Sequence, residues 1–243
     1  MVESQYSKAD PETIKSLFSS IAGSYDRTNS LLSLGLHRFW NRALVQLVEK
    51  RFQKGPLLDL CCGTGAIATL WLRRREIPTE ALLLDFCPEM LLIAKERTDR
   101  VCPGHYLSFI EGDAHLLPIT SGSIEVVTTA YGVRNLHDIK RVADEVLRVL
   151  KPRGTWAILE LTRPTNPLLR FGHSLYLKTL LPLLGGLSAS NQNAYSYLSS
   201  SVRSFIAPSE LLATLQERGF TPIEVRPLLG GTATLFVLEG RPS

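Results

Sequence analysis

Apolar and polar positions along the chain switch between two periods. Ile14, Leu17, Phe18 and Ile21 recur at helical spacing, behind Asp10 as N-cap and Pro11 at the first helical position. A polar and aromatic stretch, Tyr25 to Trp40, is interrupted by Gly35, and a second helix from Leu36 gathers Trp40, Leu44, Leu47 and Val48 on one side. Short apolar runs then alternate with helical patterns. The runs are Leu57–Leu60, Ala81–Asp85, Tyr106–Ile110, Ile124–Ala130 and Thr155–Leu161. The helices between them start at Ala66, Pro88 and Asp138, the second reaching Lys95 and the last Leu150, where Lys151-Pro152-Arg153-Gly154 turns the chain. Strict alternation predicts an α/β doubly wound parallel sheet with its ligand crevice at the carboxyl ends of the strands.

Residues 163 to 205 break the rhythm, being rich in Leu, Tyr, Ser and Asn with Pro164, Pro167 and Pro182. They predict helices and loops inserted over the crevice, as a structural cover or a substrate lid. The rhythm returns with a helix from Pro208 to Arg218 and strands Phe220–Arg226 and Thr232–Leu238. Gly230-Gly231 between these suits a hairpin, so the last pair is antiparallel. The expected organisation is one domain over residues 1–243, with an N-terminal helical cap over about 10–54 and an insertion over about 163–205.

Composition changes this picture little. At 44% hydrophobic residues the chain can bury a substantial core, and 27 Lys and Arg against 23 Asp and Glu is a mild excess. That balance does not demand nucleic acid and suits weak attraction to anionic membrane surfaces. The four cysteines form no disulfide framework, and Cys87 and Cys102 have no zinc-type spacing, so no metal is expected. No secretory leader or membrane-length apolar run is visible, which suits a cytoplasmic protein.

The chemistry concentrates where strands end. Leu57-Leu58-Asp59-Leu60-Cys61-Cys62-Gly63-Thr64-Gly65 reads as a buried strand entering a glycine turn before a helix. Such a turn aims backbone N–H groups and the positive end of the helix dipole into one crevice, and glycines let a ligand approach. Gly63-x-Gly65-x-x-Ala68, with Asp85 20 residues past Gly65, fits a nicotinamide dinucleotide and S-adenosylmethionine equally well. In both, the acid ending the second strand accepts the ribose hydroxyls. Two features favour the sulfonium compound. Asp59, expected on the crevice rim, would repel a pyrophosphate yet suit a methionine ammonium. Asp113, ending the third strand, can accept from an adenine amine while the Ala114 N–H donates to a ring nitrogen. Thr64 offers a hydroxyl at the turn.

Longer motifs add a resemblance. Tyr25-Asp26-x-x-Asn29-x-x-Leu32-Ser33-x-x-x-His37-x-x-Trp40 resembles the N-terminal signature of the quinone-biosynthesis C-methyltransferases, which methylate demethylmenaquinol and 2-polyprenyl-6-methoxy-1,4-benzoquinol. Arg148-Val149-Leu150-Lys151-Pro152-x-Gly154 with Leu159-Glu160 is similar to their second signature, and Tyr131-Gly132-Val133-Arg134-Asn135 to their motif after the fourth strand. The likeness runs from about residue 14 to 238 and includes Tyr195-x-Tyr197-Leu198-x-x-Ser201-Val202-Arg203. Thr28, Arg153 and Thr162 depart from the Met, Gly and Ser of the family's signatures, and Ala130 stands where some members contact the cofactor through Ser.

The resemblance implies a Rossmann-like class I methyltransferase with a seven-stranded, mostly parallel sheet and an antiparallel last strand. It implies S-adenosylmethionine as co-substrate, no metal, and transfer of a methyl group to a ring carbon of a polyprenylated quinol met at the membrane surface. Demethylmenaquinol is the favoured acceptor and the benzoquinol the alternative. Arg134 would activate a water or stabilise the quinol oxyanion, with Asn135 beside it; His37 is a base or an orienting group. Tyr25, Asn29, Tyr195 and Tyr197 are expected to face the substrate. A homodimer is compatible with this reading, and a nicotinamide oxidoreductase and a non-catalytic binding module stand as rivals.

Overall fold

A computed structural model describes residues 11–52, 54–176, 179 and 192–241. Three helices lead: α1 (Pro11–Ile21), α2 (Tyr25–Leu32) and α3 (Leu36–Glu49). The Asp10 cap lies outside the described residues. Alternation follows through β1 (Leu57–Leu60), α4 (Ala66–Leu72), β2 (Glu80–Asp85), α5 (Pro88–Val101), β3 (Tyr106–Glu111), β4 (Ile124–Ala130), α6 (Ile139–Val149) and β5 (Leu150–Leu161). Helices α7 (Pro167–Leu175) and α8 (Gln192–Ser204) occupy the stretch that breaks the rhythm. The chain closes with α9 (Pro208–Glu217), β6 (Phe220–Leu228) and β7 (Ala233–Gly240).

The seven strands form one sheet in the order β3-β2-β1-β4-β5-β7-β6. The first five are parallel, and β7 runs antiparallel to both β5 and β6. Strand order reverses between β1 and β4, so the ends of those two strands splay their connections apart and open the crevice there. Both faces of the sheet are covered. Leu57 belongs to a core with Leu44, Trp71 and Val126 on one face, while Leu58 and Leu60 join Trp156, Phe205 and Phe236 on the other. Burial on both faces is why β1 reads as a continuous apolar run rather than an alternating one.

The sequence boundaries shift in two places. Lys151-Pro152-Arg153-Gly154, expected as a turn before the fifth strand, is a bulge inside it: Leu150 pairs with Ile124 and Thr155 with Val126. A Cβ on Gly154 would lie 2.9 Å from both Leu150 Cδ2 and the Lys151 carbonyl, so this tight excursion requires glycine there. Helix α5 runs past Lys95 to Val101, because Ala94 and Thr98, both fully buried, continue its inner face.

Candidate functional site

The turn after β1 is held by backbone in the left-handed region at Cys61, Gly63 and Gly65 (φ 56°, 53° and 72°). Its two glycines serve different ends. A Cβ on Gly65 would sit 2.9 Å from Ala94 Cβ, so Gly65 is small to let α5 pack against the turn. A Cβ on Gly63 would meet only Tyr25 Cε1 at 3.9 Å, so Gly63 faces open space and leaves its backbone approachable. Across the switch point the loop after β4 is bent the same way: Tyr131 has φ 59°. The two bends touch, since a Cβ on Gly132 would lie 2.7 Å from Cys61 Cβ. Non-glycine residues in this backbone region are strained, and such strain gathers at functional sites.

Around these bends lie three cavities. The largest, about 510 Å³, runs from Gly63 and Asp85 to Asp113 and Ala114, and is walled by Phe18, Phe86, Met90, Asn135 and Leu136. A second, about 250 Å³, is mainly apolar and lies among Asn29, Leu32, Leu34, His37, Trp40, Arg134, Tyr176 and Val202. A third, about 320 Å³, is bordered by Asp26, Asp59, Thr64 and Arg97. Tyr25 and Tyr131 border all three.

Asp85 stands where the second strand ends, 5% exposed. Its Oδ2 accepts the Gly63 N–H at 2.7 Å and its Oδ1 the Cys87 N–H at 3.0 Å. Burial raises its pKa to about 6, moderated by those N–H donors. The Phe86 N–H is a third backbone donor to it, and a carboxylate offers about four acceptor positions, so about one remains for a hydroxyl in the cavity. Asp113 is more exposed. Against a burial penalty, the N–H and ring of His115 hold it below the usual carboxylate range. His115 Nδ1 lies 2.6 Å from Asp113 Oδ1 and its Nε2 accepts from the Asp138 N–H, so the neutral ring carries its proton on Nδ1.

Asp59 is not on the rim. It is 1% exposed, with Oδ2 accepting the Ala68 N–H at 3.1 Å and Oδ1 the Thr128 hydroxyl at 2.8 Å. Burial drives its pKa up to about 7. The acid sits beneath the turn and ties β1 to β4 and to α4, because the strand's fourfold burial leaves no solvent face at position 59. Thr64 is also placed otherwise than expected. Its hydroxyl donates to Asp26 Oδ1 at 2.8 Å and accepts from Arg97, which itself pairs with Asp26, so it pins α2 to the turn and to α5.

Arg134 and Asn135, adjacent in sequence, face different cavities. Arg134 is buried; its guanidinium donates to Glu160 Oε1 at 2.8 Å and to the Tyr131 carbonyl, and its N–H to Glu160 Oε2 at 3.0 Å. Burial opposes its charge, and Glu160 restores it and holds the guanidinium protonated. Asn135 accepts from the Tyr197 hydroxyl at 2.9 Å. Tyr197 also packs edge-on against Phe18, so it braces the wall of the large cavity from behind and borders none of the three. Tyr195 lies on α8, its side chain outside the described residues.

His37 borders the apolar cavity, with Nδ1 2.7 Å from the Ser33 hydroxyl. Burial, then Arg38, lowers its pKa, so the ring is neutral at pH 7. Ser33 has one hydroxyl hydrogen and also lies 2.7 Å from the Asn29 carbonyl. When that hydrogen goes to Asn29, His37 carries its proton on Nδ1 and keeps Nε2 as a base. Tyr25 hydrogen-bonds Asn29, and burial pushes its phenol up, with Arg134 pulling the other way.

Sequence reasoning missed Tyr131 as a junction residue and Glu160 as the partner of Arg134. An acid inside the apolar run Trp156–Leu161 was the available signal for Glu160. It also missed the apolar walls Phe18, Phe86 and Met90, which carry no chemistry of their own to mark them. Among the described residues no cluster of three or more His, Cys, Asp or Glu could hold a metal ion.

Three comparisons bear on this geometry. The ubiE/COQ5 methyltransferase family matches residues 5–238. A demethylmenaquinone methyltransferase of Protochlamydia amoebophila is 45% identical over 96% of this chain and 97% of its own, and one of Chlamydia caviae is 40% identical over 93% and 95%. Among solved structures, an S-adenosylmethionine-dependent methyltransferase from Aquifex aeolicus superposes with a TM-score of 0.58 at 13% identity, covering 81% of this chain and 88% of that one, a likeness of fold. The chain belongs to the ubiE/COQ5 methyltransferase family and is a methyltransferase enzyme.

Proposed function

We propose that the protein transfers a methyl group from S-adenosylmethionine to a ring carbon of demethylmenaquinol, giving menaquinol, with the polyprenylated methoxybenzoquinol as the alternative acceptor. One observation carries the reading. A large cavity with carboxylates toward both ends and a smaller apolar cavity meet at Tyr25 and Tyr131. The first suits a long polar donor and the second a flat aromatic acceptor. The relatives' name, demethylmenaquinone methyltransferase, points to the same acceptor.

The residues fit the donor. Asp85 has an acceptor position left for a ribose hydroxyl, Asp113 and the Ala114 N–H suit an adenine edge, and Phe86 and Met90 supply apolar faces for the ring. Open space over Gly63 admits the methionine end, with Asp59 acting through water rather than by contact. When bound, the donor supplies an electrophilic methyl group on a sulfonium. The chain's own part is to make the acceptor nucleophilic and to hold it in line. A quinol carbon becomes nucleophilic when its neighbouring phenol loses a proton. His37, neutral and with Nε2 available, can take it. Arg134 cannot act as a base, but an N–H of its Glu160-balanced guanidinium can stabilise the phenolate oxygen. As the ring carbon takes the methyl group the S–CH3 bond breaks and the sulfonium charge is neutralised, which a dry apolar pocket favours. The ring proton at that carbon then leaves and the His37 imidazolium returns its proton to the phenolate oxygen, restoring the aromatic quinol with one proton released.

Among the described residues no helix is long and apolar enough to cross a membrane. The polyprenyl tail therefore brings the enzyme to a bilayer surface, as a peripheral protein working from the cytoplasm. The test is methyl transfer, in detergent, to reduced demethylmenaquinol and reduced methoxybenzoquinol side by side. Turnover of the naphthoquinol in preference, and of neither oxidised quinone, is expected. Donor binding without turnover of either quinol would overturn the reading.

A further inference from the structure

Two leucines are held in backbone that leucine avoids. Leu34, at the tip between α2 and α3, has φ 49°, and Leu229, at the tip between β6 and β7, has φ 43°. Each precedes a left-handed glycine, Gly35 or Gly230. They are 68% and 60% exposed, so neither side chain compensates its backbone strain by burial in the fold. Both border the mouth of the apolar cavity.

Helix α7 bridges the two tips. A Cβ on Gly230 would lie 2.6 Å from Leu169 Cδ1, and the Tyr176 hydroxyl at the end of α7 donates to the Leu32 carbonyl on the other side. No residue of α7 is buried, yet it displays Leu168 (79% exposed), Phe171 (69%) and Leu175. The charge pattern of the same face is one-sided. The described residues of segments 27–48, 161–209 and 225–238, which supply these tips and α7, include seven Arg and no Asp or Glu, with Asp26, Glu49, Glu210, Glu224 and Glu239 directly at their borders. Arg38 and Arg170 are exposed on them, and Arg226, also exposed, pairs with Glu224 at 3.3 Å.

We propose that this face docks on an anionic lipid bilayer, with Leu34 and Leu229 inserted as paired wedges on either side of the cavity mouth and the arginines on the headgroups. The inference rests on the reading of a polyprenylated acceptor: the wedges open the apolar cavity directly onto the acyl layer, and the tail never crosses water. A bilayer is the occupant that uses both features, since apolar tips seek the acyl region and the exposed arginines beside them seek anionic headgroups. A second copy across a two-fold axis would set these cations against each other.

Vesicle flotation of the full-length protein, without quinol or methyl donor, tests this. The protein should float with vesicles containing phosphatidylglycerol, float weakly with phosphatidylcholine alone, and lose binding as salt rises. Leu34→Gly with Leu229→Gly should weaken binding about tenfold or more, because two apolar side chains leave the acyl layer. Glycine relieves the left-handed backbone, so the melting temperature should hold or rise and misfolding cannot explain the loss. Arg38→Gln should weaken binding to the anionic vesicles about fivefold and leave phosphatidylcholine binding unchanged. No flotation with anionic vesicles, or unaltered binding by the leucine variant, overturns the proposal. A dimer dissolved by the leucine variant would hand the face to a second copy and overturn it equally. Methyl transfer in detergent reads the chemistry separately, so either result can fail alone.

Discussion

The two cavities that meet at Tyr25 and Tyr131 are built in opposite ways. The larger one is lined chiefly from the ends of successive strands, β1, β2, β3 and β4, with α1 laid across. The apolar one draws on α2, α3, the loop after β4, α7, α8 and the β6–β7 turn, segments up to about 200 residues apart in the chain. Polar groups on the donor side are locked by backbone N–H bonds, as Asp85 is by Gly63 and Cys87. Among the described residues lining the apolar cavity, the one fixed charge, Arg134, is neutralised by a buried acid. On the proposed reading the parallel sheet supplies a rigid half for the methyl donor, and the caps supply a half whose shape selects the acceptor.

Four substitutions break or sharpen this contrast. The largest effect is expected at the acceptor-side ion pair. Arg134→Met leaves Glu160 charged and buried, and should lower unfolding free energy by about 3 to 5 kcal/mol in urea titration, with Glu160→Gln in the same chain recovering much of it. A loss under about 1 kcal/mol would mean that the pair does not hold this wall together.

Next is a pH effect beneath the donor-side turn. The folded pKa of Asp59, about 7, lies above its ordinary 3.8. The folded state therefore holds a proton that the unfolded chain releases. This stabilisation is complete below about pH 4 and is lost as pH rises through about 7. Asp59→Asn removes the dependence, so its stability relative to the parent should rise by up to about 4 kcal/mol between pH 4 and pH 8. Asp85, at about 6, acts in the same direction and remains in both proteins. Equal pH slopes would show that Asp59 titrates normally.

Third, Asp85→Ala should weaken S-adenosylmethionine binding about 100-fold by calorimetry, the worth of hydrogen bonds to a charged acceptor, while leaving quinol affinity nearly intact. Loss of both affinities together would show the two cavities to be one energetic unit. The smallest effect is distant from both. Arg153 has φ 63° in the β5 bulge, at the position where the related signature has glycine. Arg153→Gly should raise stability by about 1 kcal/mol with activity unchanged.

Most of the strand-end lining of the large cavity was legible before the structure. Asp85 and Asp113 end apolar runs and Gly63 opens a helix, so each is marked by its neighbours in sequence. What misled was depth. A carboxylate four residues before a glycine reads as a rim residue, but β1 lies at the centre of the sheet and buries all its side chains, Asp59 included. The acceptor side was legible only as motifs. Arg134 and Asn135 stand side by side in the chain, yet the short 3₁₀ turn Val133–Asn135 sends their side chains into different cavities. Gly63-x-Gly65-x-x-Ala68 left a dinucleotide and a methyl donor open, and family membership closed that choice rather than the turn itself.

The sequence by itself determined the alternation of elements, the sheet class, the antiparallel final pair and the acids at the strand ends, because periodicity and turn chemistry are local and survive without tertiary context. The tertiary structure decided which polar groups are buried and what they bond, which glycine is for a ligand and which for packing, and that two tyrosines and two strained leucines from distant segments border one apolar cavity. Those outcomes depend on how chain segments far apart in sequence pack, and no local pattern carries that information.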